Sequence, residues 1–402
     1  MTNSAAIFIE SNTTGSGADF ILRARELGLV PIFVTASPER YGFLSRISNV
    51  ELHTCDTFSE SDVRAVIDSI ATDMRIALLT TSSDFYLYTA ALEARRRGLT
   101  GPDPNAIALC QDKERQATAL RAAGIGVPHS ATVRAECDIS HAIKKIGLPA
   151  VAKPISGTGS IGVTFVDTET SAADALRKLL GTTNDVRGRP IQPGALLMSY
   201  VAGEEYSVEV LDSKIIGVTR KHLGPLPHFV EIGHDIPAPM LSRLRVKIED
   251  EALRAIQVLR HVKGPAHVEL RVGEDCVTII EVNPRLAGGS IPTLFRYTTG
   301  FDPVLAVLRS LLGMSSLPLR GGAHGSIRFI VPAREGPFAL PQCEHLVDRF
   351  GLAEFVLYHT PPIEFRRRND FRDRIGHVIA VGDDPAAVAR RAEAAVAFIR
   401  GA

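Results

Sequence analysis

The chain has 402 residues with 45 basic and 45 acidic side chains, 45% hydrophobic content and 6% aromatic content. That length accommodates two or three domains, and a formal net charge of zero offers no electrostatic footprint for a nucleic-acid backbone or an anionic membrane. Five cysteines (Cys55, Cys110, Cys137, Cys276, Cys343) form no C-x-x-C pair. No run of about 18 apolar residues occurs, so the expectation is a cytoplasmic protein with no disulfide framework, zinc knuckle or membrane span.

Apolar runs at 5–9, 31–34 and 76–79 alternate with helical patterns at 18–27 and 85–97, as in an open parallel α/β unit. On the first helix Phe20, Ile21, Ala24 and Leu27 form one stripe, with Ser16 or Gly17 as its cap and Gly28 at its end. A cluster of Gly98, Gly101, Pro102 and Pro104 precedes Asp112, the expected N-cap of a helix over 113–123 stopped by Gly124. A first domain is therefore expected over 1–110. From 125 onwards extended runs at 195–201, 205–211, 215–220, 267–272 and 277–282 mix with helices in an α+β pattern, and the second domain is drawn over 111–312. A third module, 313–402, is β-rich and ends in a helix that Asp384-Pro385 opens, with Val388, Ala392, Ala395, Val396 and Ile399 on one face. No internal repeat stands out.

Two glycine patterns compete for a nucleotide. Gly15-Ser16-Gly17 sits at a strand-to-helix turn, but Phe20 occupies the third glycine position and the second strand ends at Thr35 without a ribose-binding acid, which disfavours a nicotinamide cofactor. Gly157-Thr158-Gly159-Ser160-Ile161-Gly162 is followed by the strand-like Val163-Thr164-Phe165-Val166, so it reads as a hairpin flap whose N–H groups can close over phosphates. Lys153, inside the apolar run Pro149-Ala150-Val151-Ala152 and just before Pro154, should snorkel or meet an anion.

The runs His267-Val268-Glu269-Leu270-Arg271-Val272 and Val277-Thr278-Ile279-Ile280-Glu281-Val282-Asn283 flank a short turn, and Glu269 and Glu281 lie equally far from residue 275. In a hairpin they would face each other, a repulsive arrangement unless something positive lies between them. Two carboxylates and the Asn283 carbonyl are hard oxygen donors suited to Mg2+. Arg285, two residues on, could aim its guanidinium into the same space.

Together, Lys113, Lys153, the Gly/Ser flap and Glu269 with Glu281-Val282-Asn283-Pro284-Arg285 resemble the ATP-grasp superfamily over nearly the whole chain. The resemblance implies an ATP-grasp fold, with a Rossmann-like α/β domain, a two-part nucleotide clamp (flap subdomain about 125–200) and a small C-terminal module. It further implies that Lys113, Lys153 and the loop Gly157, Thr158, Gly159 and Ser160 contact ATP phosphates. Glu269, Glu281 and Asn283 would hold two Mg2+ ions, with Mn2+ as a substitute. Met198, Tyr200 and Val201 match the strand bordering adenine, and Glu205, next to Glu204, matches the ribose-facing acid. Within the superfamily, His228-Phe229-Val230-Glu231-Ile232-Gly233-His234 and the run from Asn283 to Gly289 resemble the L-amino-acid ligases. There the segment matching Glu231 and His234 borders the acceptor, and the arginine matching Arg285 supports acyl-phosphate chemistry.

The implied activity is an ADP-forming carboxylate–amine ligase, with Glu231 or His234 as candidate base and a roomy pocket beside Gly288 and Gly289. The expected partners are small-molecule carboxylate and amine substrates, with a homodimer as the default for an enzyme of this size. The rival readings are a carboxylase-type or purine-pathway ATP-grasp enzyme and, from another class, a catalytically silent ATP-binding protein. Against the biotin-dependent type, Leu286-Ala287-Gly288-Gly289 follows Arg285 in place of Gln-Val-Glu-His. The run Arg366-Arg367-Arg368 reads as a solvated face.

Overall fold

The computed structural model of the chain describes residues 4–401 apart from 14, 158, 192–193, 275, 316–320 and 341–344, so Thr158 of the flap lies outside the described residues. Strands Glu51–Thr54, Val30–Thr35, Ser4–Ile9 and Arg75–Thr80 lie side by side in that order, all parallel. Both faces of the inner strands are buried, which is why Ser4–Ile9 and Val30–Thr35 read as continuous apolar runs, whereas edge strand Glu51–Thr54 is largely exposed. Ile7, Ile9, Ile32 and Val34 pack on Val63 and Ile67 of helix Glu60–Asp73, an element that the sequence reading passed over. Ala6, Phe8 and Phe33 meet Phe20, Ile21 and Ala24 of helix Gly17–Glu26. The same core continues into Leu294, Phe295, Val304 and Val307, so the N-terminal unit shares its apolar interior with helices Ile291–Thr299 and Pro303–Leu311.

A helix over Lys113–Ala122 follows, and Asp112 caps it as expected, its carboxylate accepting from the N–H groups of Glu114 and Arg115. The flap subdomain is an antiparallel sheet in the order Ser130–Val133, Ala195–Ser199, Ala150–Pro154, Thr164–Val166. Helices Ile139–Ile146 and Glu169–Leu180 cover one face of it through Ile139, Ala142, Ala172 and Leu176.

The third sheet has eight antiparallel strands. Their order is Val277–Asn283, Pro265–Val272, Glu204–Leu211, Lys214–Leu223, Glu231–Ile236, His324–Ile330, Gly376–Gly382 and Glu354–Leu357. Its last three strands come from beyond residue 313, so the C-terminal segment extends the sheet that carries the paired acids. Helix Pro385–Arg400 seals this end with Val388, Ala392, Ala395, Val396 and Ile399, the face read from the sequence. Cys55, Cys110, Cys137 and Cys276 are free thiols, and no helix among the described residues is long and apolar enough to cross a membrane.

Candidate active site

A cavity of about 1260 Å³ opens between the three sheets. Strands Pro265–Val272 and Val277–Asn283 form the expected hairpin, and Glu269 pairs directly with Glu281 in its register. The register shifts between Glu269 and Leu270, and both acids line the cavity with Asn283. The repulsion between them is met by the chain's own cations. Glu281 lies 2.9 Å from the Lys113 Nζ and 3.9 Å from the Lys153 Nζ, while Glu269 lies 2.5 Å from the Lys221 Nζ and 3.2 Å from the His267 Nε2. Side-chain cations therefore already offset the charge of both acids. The donor set nevertheless fits a divalent ion: two opposed carboxylates, and an Asn283 side chain with no hydrogen-bond partner among the described residues. Behind them His267 is clamped between Glu209, at 2.9 Å, and Glu269. Burial works against its charge, but the two carboxylates outweigh it and push its pKa up to about 9, so it stays cationic and orients Glu269.

Lys153 is buried on strand Ala150–Pro154, and burial lowers its pKa against the pull of Glu281. Lys113, at the start of its helix, also donates to the carbonyl of Gly157 at 2.8 Å, tying the flap loop to the acids. The loop connects strands Ala150–Pro154 and Thr164–Val166, and its Gly159 and Ser160 both have positive φ, +70° and 59°. Gly159 lies against Phe371 of the C-terminal segment, which a Cβ there would meet at 2.5 Å.

At the far side of the flap sheet, Met198, Tyr200, Val201 and Glu205 line the cavity. Strand alternation separates the two adjacent acids. Glu204 is exposed and bonds to Arg220 and Tyr206, whereas Glu205 turns inward to Arg271 at 3.1 Å and Lys221 at 3.1 Å. Arg271 was not singled out from the sequence. Its guanidinium lies over the rings of Tyr200 and Phe229, 5.4 and 5.5 Å from their centroids, and donates to the Val201 carbonyl at 2.8 Å.

Lys221 was missed as well, because Arg220-Lys221-His222 reads as a solvated strand end. It is buried, and its ammonium sits among Glu205, Glu231 and Glu269 at 3.1, 2.7 and 2.5 Å. Burial opposes its charge, yet the three carboxylates hold its pKa well above the ordinary value. These three acids are also within reach of a common metal ion, 4.8 Å or less from one another, but the ammonium occupies that role here.

Glu231 lines the cavity wall beyond them. Despite burial, Lys221 (first), His234 and Arg374 hold its carboxyl well below the usual range, with contacts of 2.7, 3.1 and 3.0 Å. So strongly held an anion is a weak proton acceptor. His234 is fully buried behind that wall, spanning Glu231 through Nε2 and the Gly289 carbonyl, 3.2 Å away, through Nδ1. Burial lowers its pKa although Glu231 pulls the other way. It positions Glu231 rather than facing the cavity. Gly288 borders open space, whereas a Cβ on Gly289 (φ +58°) would strike His234 at 2.5 Å. Arg285 donates from Nε to Asp84, 2.5 Å away and 201 residues earlier in the chain, a tie that no local pattern announces. Burial disfavours its charge, but Asp84 more than compensates, and Glu269 and Glu281 are near enough to contribute.

An ATP-grasp domain model matches residues 146–293, and a model of the L-amino acid ligase C-terminal domain 2 matches residues 328–401. The uncharacterized protein y4rH of Sinorhizobium fredii is 29% identical over 378 residues, covering 94% of this chain and 78% of that protein. Carnosine synthase 1 of Mus musculus is 25% identical over 75% of this chain, but the match spans 39% of that longer protein. Among solved structures, the L-amino acid ligase from Bacillus licheniformis superposes with a TM-score of 0.81 at 21% identity, covering 100% of this chain and 97% of that one. The matched domains, the shared fold and the site geometry agree: residues 146–293 match an ATP-grasp domain and residues 328–401 the L-amino acid ligase C-terminal domain 2, and in these the chain is similar to ADP-forming ATP-grasp ligases.

Proposed function

We propose that the protein joins the carboxylate of one small molecule, an L-amino acid, to the amine of another, forming a dipeptide-like amide through an acyl phosphate and releasing ADP and phosphate. The observation that carries this reading is the continuity of the cavity. One lined space joins the phosphate-handling set Lys113, Lys153 and Glu281 to the Glu231 wall, with Arg285 in reach of the acids.

Mg2+ held by Glu269, Glu281 and Asn283 would spread the charge on the transferred phosphoryl group. Lys113 and Lys153, now on Glu281, supply the cations that the triphosphate takes over when it enters. The guanidinium of Arg285, anchored by Asp84, orients the substrate carboxylate whose oxygen attacks the γ-phosphorus. Loop 157–162 covers the reacting groups and, closed against Phe371, keeps water from the acyl phosphate. Glu231, held anionic, attracts the acceptor ammonium to the acyl carbon; one proton passes to solvent water to free the amine, which attacks as the acyl–oxygen bond breaks, and its second proton leaves with the departing phosphate.

The test is phosphate release from Mg·ATP with pairs of L-amino acids, against bicarbonate, followed by mass spectrometry of the product. The expected result is release that needs both a carboxylate and an amine, with a product weighing their sum less water. Release on bicarbonate alone would favour the carboxylase reading, and nucleotide binding without release would favour a silent binding protein.

A further inference from the structure

The run Arg366-Arg367-Arg368 is exposed throughout, as the sequence suggests, but Arg366 and Arg368 border the cavity and Arg367 does not. It follows strand Ile363–Phe365, and its three side chains have different surroundings. Arg367 turns away, donating to the carbonyls of Pro332 and Ala333 and lying 5.5 Å from the centre of the Phe365 ring. Arg366 and Arg368 both line the cavity, and neither has an acidic partner among the described residues.

The segment that carries them is built rigidly. Asp373, fully buried, accepts from the N–H groups of Arg368 and Asn369 at 2.6 and 2.8 Å, and Asp370 holds Arg372 through two bonds of 2.8 and 2.5 Å. Both nearby aspartates are thus spent on the loop. The segment is also pinned at two ends of the reaction space, by Phe371 on Gly159 of the flap and by Arg374 on Glu231. Elsewhere on the cavity wall the buried cations are matched: Lys113 and Lys153 by Glu281, Lys221 by three carboxylates, Arg285 by Asp84. Arg40 and Arg187, from the N-terminal side, have no carboxylate partner either, Arg187 being held by the Tyr41 hydroxyl and the Ser11 carbonyl. Glu364 is the acid of the segment that also lines the space, and it is exposed. Magnesium nucleotide brings its own counter-ions, and a zwitterionic amino acid brings no net charge. The surplus of guanidinium is left for something else.

We propose that Arg366 and Arg368 form an anion-recognition site at the C-terminal rim of the cavity, and that one substrate carries an acidic group, carboxylate or phosphate, beyond the groups that form the amide. This deepens the ligase reading and rests on it for the identity of the bound molecule. Two guanidiniums that both reach one anion would discriminate it from its neutral isostere by about tenfold or more, ~1.4 kcal/mol.

The test is titration calorimetry on the full chain with Mg·ADP, using L-glutamate against L-glutamine and L-phosphoserine against L-serine as probes. The acidic member of one pair should bind at least about tenfold tighter, and the pair that shows it separates carboxylate from phosphate. That ratio should fall towards one in R366Q/R368Q and below one in R366E/R368E, with far-ultraviolet circular dichroism verifying the fold of each variant. Ratios near one in the parent protein, or ratios that the variants leave unchanged, overturn the proposal. A variant defect confined to ADP, equal for acidic and neutral probes, overturns it too, because the arginines would then serve the nucleotide. Phosphate release measured alongside keeps the two readings apart: release indifferent to probe charge removes the rim site alone, whereas charge-selective binding without release on any pair removes the ligase reading alone.

Discussion

Replacing Lys221 by methionine removes the ammonium at the centre of Glu205, Glu231 and Glu269 while keeping the volume of the buried stem. The three carboxylates come within 4.8 Å of one another, so each ionised pair repels by at least roughly 3 kcal/mol at the effective dielectric of a protein site. Their other partners, Arg271 on Glu205, Arg374 on Glu231 and His267 on Glu269, remain. The expected loss is therefore that of one broken buried pair, about 3–5 kcal/mol, and, at about 2.1 cal/mol/K of unfolding entropy per residue, a fall in melting temperature of roughly 4–6 °C at pH 7.5. The sign of the pH dependence is the sharper test. In the parent protein Glu231 and Glu269 have depressed pKa values, so their contribution is present above the ordinary value of 4.5 and is lost as the pH falls through the depressed ones. In the variant the crowded carboxylates move upwards instead, and the penalty grows as the pH rises through their raised values. The gap between parent and variant should thus narrow markedly at about pH 5, by calorimetry or dye-monitored melting. A variant that melts with the parent, or a gap of constant size across that range, would refute the view that one lysine neutralises this cluster.

Glu281→Gln should lower substrate-dependent phosphate release by more than about 100-fold, and chelation of divalent ions should abolish release in the parent until Mg2+ is restored. Arg271→Ala removes the guanidinium that joins Tyr200, the Val201 carbonyl and Glu205, and should raise the KM for ATP about tenfold while leaving kcat within about twofold. Gly288→Leu should fold normally yet lose kcat/KM for bulky carboxylate partners, since open space surrounds its Cβ position. Gly289→Ala should instead lower the melting temperature, by about 1–3 kcal/mol of strain, because positive φ and the His234 ring both oppose a side chain there. Paired melting and kinetic measurements separate these two outcomes.

Much of the candidate-site hairpin was readable from residue order. Counting outward from residue 275 puts Glu269 opposite Glu281 because a short turn fixes hairpin register, and the two are paired in the fold. Asp112 as a cap and the buried face of the final helix were equally local signals, set by backbone donors and by the helical period. Alternation even contained the answer to Glu204 against Glu205, once the strand's inward face was known. These features were legible in the residue order because turns, caps and periodicity act over a few residues. Only the tertiary structure decided that Lys221, in a polar triplet, sits buried among three acids, that Asp84 anchors Arg285, that Arg374 reaches Glu231 from the C-terminal strands, and that those strands extend the central sheet. A period of two names the face on which a side chain lies. It does not name the distant segment that packs on that face, and the charge balance of a buried site depends on that segment.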